Sequence, residues 1–176
     1  MPQSDAQQYP GELTTSAELL RLAVEYRAAA QATRKLGRPG ERLSLAPYRL
    51  IAIHAIELYL SALLLHIGHR HARVRGLQHD LAARADLAAQ GGLKLRLKTD
   101  AHLRTLADTR EYLISRYAPE AATMLSQVNR LAASLDEVAR KVEAIIARAP
   151  PEPGSHAQFF VVEPVRAASP PARMDR

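Results

Sequence analysis

Five polar or aromatic side chains interrupt one long aliphatic run, and three of them share a face. From Ala46 to Gly68 the chain reads APYRLIAIHAIELYLSALLLHIG, and between Leu50 and Ile67 only His54, Glu57, Tyr59, Ser61 and His66 break the aliphatic sequence. At 100° per residue, His54, Glu57 and Ser61 fall within an arc of about 60°, a narrow polar seam on an apolar rod. A carboxylate and an imidazole on a buried helix need donors or charged partners, or the carboxyl must take up a proton. His79, Asp80, Arg116 and Tyr117 are the downstream side chains that would meet Glu57, with Arg116 and His79 as its partners. Two chemistries compete for this set. One is a structural network that fixes helix register, with Asp80 and His79 serving partly as first-turn caps. The other is a pocket whose ionisable pair takes the phosphate of a nucleotide or RNA.

A second set of residues is cationic. The chain is basic, net +6 with a pI near 10. Arg outnumbers Lys about five to one, and the planar guanidinium suits bidentate phosphate contacts. Genomic base bias toward Ala and Arg gives the same composition without any ligand. Arg70, Arg73, Arg75, Lys94, Arg96 and Lys98 lie in two stretches flanking one short helix, where they could hold a nucleic-acid backbone non-specifically. Aromatics are few and Trp is absent, which disfavours a stacking surface for single strands. His66, His69 and His71 cluster near the end of the apolar helix. Only two share a face and no nearby carboxylate completes a shell, so no metal site and no cofactor is expected. Without cysteine there are neither disulfides nor thiolate sites, which suits a cytoplasmic protein.

The elements that must position these residues read as helices. Thr15-Ser16-Ala17-Glu18 forms a capping box, and helix one runs to about Leu36 with Leu19, Leu20, Leu22, Ala23, Tyr26 and Ala30 inward. Ser44 caps the apolar helix, Pro47 sits in its first turn and Gly68 ends it. His69 to Gly76 reads as a basic loop. Helix three covers about 77–90, until Gly91-Gly92 breaks it, and 93–98 is a cationic loop. Thr99 or Asp100 caps helix four, which runs to about Tyr117. Pro119 opens helix five, whose near-heptad apolar spacing from Met124 to Ile146 suits packing in a bundle or across a dimer interface. The apolar rod is a core helix and not a membrane span, because Glu57 and His54 would lie mid-span. The N-terminus has no secretory signal pattern. Residues 1–13 read as flexible. The segment 149–176 is a proline-rich, disordered or extended tail carrying an apolar island at Phe159-Phe160-Val161-Val162.

Three pieces together resemble the HEPN superfamily, small α-helical bundles associated with nucleotides and RNA. IHAIELYLSALLLHIG resembles that family's leucine-rich helix with its alanine and glutamate. Gln78-His79-Asp80-Leu81 looks like the "GHDL" turn, and Ser115-Arg116-Tyr117-Ala118-Pro119 is similar to the "ARYP" step. They cover roughly residues 45–120 in matching order. Catalytic members carry Arg followed after four to six residues by His. The pairs Arg49–His54, Arg73–His79 and Arg96–His102 fit that spacing. Arg49 and His54 lie about 140° apart on a straight helix, poorly placed to act on one phosphate.

The expectation is therefore an all-α, antiparallel bundle of about five helices over residues 14–148. The resemblance implies a non-catalytic domain that binds nucleotide or RNA, or serves as the helical partner in a defence or toxin–antitoxin module. A metal-independent RNase with a composite site at a dimer interface is the second reading. The third is a structural interaction protein, working as a homodimer or gripping a partner through helix 119–148 or Phe159–Val162.

Overall fold

A computed structural model describes residues 9–148. The fold is all-α. Helix α1 (Ser16–Arg34) starts on the foreseen capping box: the Glu18 amide donates to Thr15 Oγ1 at 3.2 Å, and the Thr15 amide donates to Glu18 Oε2 at 2.8 Å. Ala23 and Ala30 are fully buried, and their small side chains let α1 lie close along the next helix. Leu22, read as inward, is 45% exposed, whereas Leu19, Leu20 and Tyr26 pack on the core.

Helix α2 (Ala46–His66) is the central rod, and most of its residues are buried. By length and composition this stretch could cross a membrane, yet 72% of its apolar window is buried among the other helices. Ser44 does not cap it. Residues Arg42–Leu45 form a 3-10 turn, in which Ser44 Oγ accepts from the Arg38 amide and donates to the Glu41 carbonyl. Pro47 needs no amide partner in the first turn, so α2 starts without a side-chain cap. Gly68, at φ +92°, ends it in the left-handed region.

The expected basic loop at 69–76 contains a short helix, α3 (His71–Gly76). Val74 is its anchor, buried against the core, so a tertiary contact orders a segment whose composition favours solvent. Helix α4 (Leu81–Gln90) begins four residues later than expected, because Gln78 takes φ +47° and Asp80 becomes the N-cap, accepting from the Ala83 amide at 2.9 Å. At its far end a Cβ on Gly91 would sit 2.2 Å from Ile67 Cδ1, so the chain passes tightly over the end of α2.

Residues 93–96 form the expected loop, and α5 (Leu97–Asp108) follows. Neither Thr99 nor Asp100 is its N-cap. The N-cap is Arg96, with no side-chain cap bond, and Glu137 of another helix ties this start down, accepting from the Arg96 amide at 2.8 Å and from Thr99 Oγ1 at 2.6 Å. The foreseen fourth helix is broken at Arg110, which takes φ +51°, and α6 (Glu111–Tyr117) leaves at a new angle. That break turns Glu111 inward, where it is 1% exposed. The expected fifth helix is also divided. Pro119–Met124 is a 3-10 turn, and α7 (Val128–Arg148) carries the apolar stripe.

Side-chain pairs fix the directions. Arg34 meets Asn129, and Arg27 meets Asp136 and Glu143, so α1 and α7 are antiparallel. Ser126 lies by Arg49 and Glu143 by Tyr59, so α7 runs parallel to α2. Tyr59 is buried and donates to Glu143 at 2.8 Å; burial and that neighbouring carboxylate push its hydroxyl up to about 12.

Ionisable groups in this packing make stability fall in acid. Burial pushes His54 and His102 below the ordinary 6.5, so the unfolded chain takes up protons that the folded chain refuses. Glu137 moves the other way. Burial opposes its charge, but bonds from Lys141, Thr99 and the Arg96 amide outweigh that and hold it at about 2. Its contribution is complete above 4.5 and lost as pH falls toward 2. Urea unfolding across a pH series should therefore show a first decline below 6.5 and a second below 4.5. In Glu137→Gln the second should shrink.

Candidate functional site

Glu57 sits on the middle of α2, and its side chain is 15% exposed. Its Oε2 lies 3.0 Å from His79 Nδ1, and its Oε1 is 3.4 Å from the Arg84 guanidinium. A carboxylate only accepts, so Nδ1 carries the hydrogen and Nε2 is left for other partners. Ser61, one turn along the seam, donates to the Glu57 carbonyl at 2.7 Å and accepts from Arg84 at 3.0 Å. Arg84 is the hub. Only 3% exposed, it also donates to the carbonyls of Val74 and Gln78. Burial pulls its pKa down, while Glu57 and Asp80 pull it back up.

The foreseen set is thus gathered only in part. Glu57, Ser61 and His79 meet, and Asp80 stands beside them as the cap of α4. His54 does not join: its ring packs edge-on against Tyr26 of α1, with centroids 4.7 Å apart. Arg116 and Tyr117 also stay out, exposed at the end of α6. Arg116 acts on His54 only through its charge, and Glu57 is paired with His79 and Arg84 instead. Arg84 takes the place of Arg116, and Tyr112 takes the place of Tyr117, its ring centroid 4.5 Å from that of His79. Arg84 had a signal in the sequence. It shares the inward stripe of α4 with Leu81, Ala85 and Ala88, where a charge requires a buried partner.

Above this network lies a cleft of about 430 Å³. The volume is within the usual range for small-molecule sites, about 300–1,000 Å³. Glu57, Ser61 and His79 line its floor, α3 supplies His71 and Arg75, and the turn at residues 9–14 closes one side. His71 Nε2 is 2.7 Å from the Thr14 carbonyl, and the Arg75 guanidinium stands 4.3 Å over the Tyr9 ring. Those contacts fasten the turn to α3.

Arg73 on α3 and Arg70 at its N-cap are exposed. Lys94, Arg96 and Lys98 are exposed too, but their loop is tied to α7 through Glu137 and through Lys141, which donates to the Lys94 carbonyl. The two cationic stretches are thus anchored to different walls, α3 to the cleft and 94–98 to α7. Two of the three Arg–His spacings, Arg49–His54 and Arg96–His102, do not make a site. Arg49 is spent on Glu111 and the Ser126 carbonyl. His102 is buried with Nδ1 2.8 Å from Ser134 Oγ, while Arg96 faces solvent. Among the described residues no group of three His, Asp or Glu could hold a metal ion. The apolar island at 159–162 and the rest of the tail lie outside the described residues.

Comparison with protein families, with curated proteins and with solved structures finds no match to this chain.

Proposed function

We propose that this bundle binds a phosphate-bearing ligand, a nucleotide or a stretch of RNA, in the cleft over Glu57 and His79, and binds it without cleaving it. One observation carries the reading. Glu57 and Ser61 are committed to Arg84 and His79, so the acidic group is neutralised from within, while the Arg75 guanidinium remains on the cleft. The outer nitrogens of His71 and His79 join it as donors only when those rings carry both protons. A lining with its carboxylate satisfied and its cations available favours an anion. Arg73 on the same short helix and Arg70 at its N-cap add attraction for a longer polyanion. The resemblance to HEPN bundles points to the same class of ligand.

The test is fluorescence anisotropy with a short labelled RNA and with a labelled mononucleotide, at several salt concentrations. Arg75→Ala should weaken binding about tenfold, the loss of one charge-assisted contact, with little change in melting temperature. RNA affinity should also fall steeply with salt. A flat salt response together with unchanged affinity in Arg75→Ala overturns the reading.

A further inference from the structure

Cations and bare apolar side chains meet at one pole of the bundle. Helix α1 ends there, α2 begins there after the turn Arg42–Leu45, and the turn Pro119–Met124 packs against that turn before α7 starts. The connection from α1 to α2 is tied to itself. The Glu41 amide donates to the Arg38 carbonyl at 3.1 Å, and the Arg38 amide donates to Ser44 Oγ at 2.8 Å. One leucine of this segment is used in packing: Leu45 lies so close to Gly37 that a Cβ there would sit 2.5 Å from Leu45 Cδ2. Two others are left out. Leu36 is 70% exposed and Leu43 is 52% exposed, and Met124 on the adjoining turn is 69% exposed. Arg34, Lys35, Arg38 and Arg42 are exposed in the same connection, against one carboxylate, Glu41.

A nucleic-acid backbone would answer these cations but not the leucines. An apolar groove on another protein would answer the leucines but not the cations. A bilayer with anionic headgroups answers both, because its face is negative and its interior apolar. We infer that this pole docks on an anionic lipid surface, with Leu36, Leu43 and Met124 entering the headgroup boundary and Lys35, Arg38 and Arg42 meeting the lipid phosphates. The contact is peripheral, since the apolar rod of α2 stays packed among the other helices. It is also separate from the cleft over Glu57, which is lined by α3 and by α2 as far as Leu65, toward the opposite end of that helix.

Flotation of the intact protein with vesicles of phosphatidylcholine and phosphatidylglycerol in equal parts, against vesicles of phosphatidylcholine alone, tests this. Binding to the mixed vesicles only is expected, and it should weaken as salt is added. Leu36→Ser with Leu43→Ser should lower the partition constant about tenfold or more. Both side chains already face water, so the melting temperature should not change. Lys35→Gln with Arg38→Gln should also cost about tenfold. Lys94→Gln with Lys98→Gln removes the same charge from the loop tied to α7 and should cost far less. No binding to the mixed vesicles would leave the leucines to a protein partner and overturn the inference. Equal binding to phosphatidylcholine alone, wild-type partition in the leucine variant, or an equal loss in the Lys94 and Lys98 variant would each overturn it too.

Discussion

Replacing Glu111 by alanine should lower the unfolding free energy by about 3–5 kcal/mol. The pair it forms with Arg49 is 2.6 Å long, and the two side chains are 1% and 8% exposed. Removing the carboxylate leaves a guanidinium in the interior with one carbonyl for company, and strips the acceptor from the Ser126 amide. A buried cation without its counter-charge is among the few defects large enough to dominate a domain's stability. At about 2–4 °C per kcal/mol for a domain of this size, the melting temperature should fall by roughly 10 °C. Urea unfolding of the single and double variants checks it. Arg49→Met with Glu111→Leu should recover much of the loss, since a well-packed apolar pair often matches a buried ion pair. If Glu111→Ala unfolds like the wild type, this pair does not hold α6 to α2.

Arg84→Met should have an effect of similar size, about 3 kcal/mol, and a more local signature. The methionine fills much of the volume but leaves the Gln78 carbonyl and one oxygen of Glu57 without donors, and the Val74 carbonyl with only the Leu77 amide at 3.3 Å. Those carbonyls belong to the segment that carries His79 from α3 to α4. Gln78, a non-glycine residue at φ +47°, is held there against a backbone preference of roughly 1 kcal/mol. Amide exchange at residues 78–80 should therefore accelerate more than exchange in α7. Uniform acceleration throughout the chain would show instead that Arg84 acts only on global stability.

The elements most legible in the sequence were those whose signal is local. The Thr15–Glu18 box, the apolar rod of α2 and the Gly68 stop depend on a few neighbouring residues, and each is found. The breaks were not legible. Arg110 enters the left-handed region because Glu111 must reach Arg49, 62 positions away in the chain. No window around TREYL contains that requirement. The same holds for α5, whose start is tied to Glu137 of α7, and for α3, ordered by burying Val74. In the candidate site, the polar seam of His54, Glu57 and Ser61 pointed rightly to the last two, and the downstream reading to His79, while His54 packs on Tyr26 instead. The downstream reading failed for Arg116 because Arg84, on the inward face of α4, supplies the guanidinium that Glu57 needs. Arg84 and Glu137 shared a readable sign, a charge on the inward stripe of an amphipathic helix. Such a charge reports a buried partner without saying which one.

The most direct test of the account is the side-chain 15N spectrum of His79, recorded with and without a short RNA. The geometry predicts a single tautomer with hydrogen on Nδ1, held by Glu57, and an Nε2 resonance that moves as the RNA is added. Hydrogen on Nε2 in the neutral ring, or a resonance indifferent to RNA at saturating amounts, would contradict it.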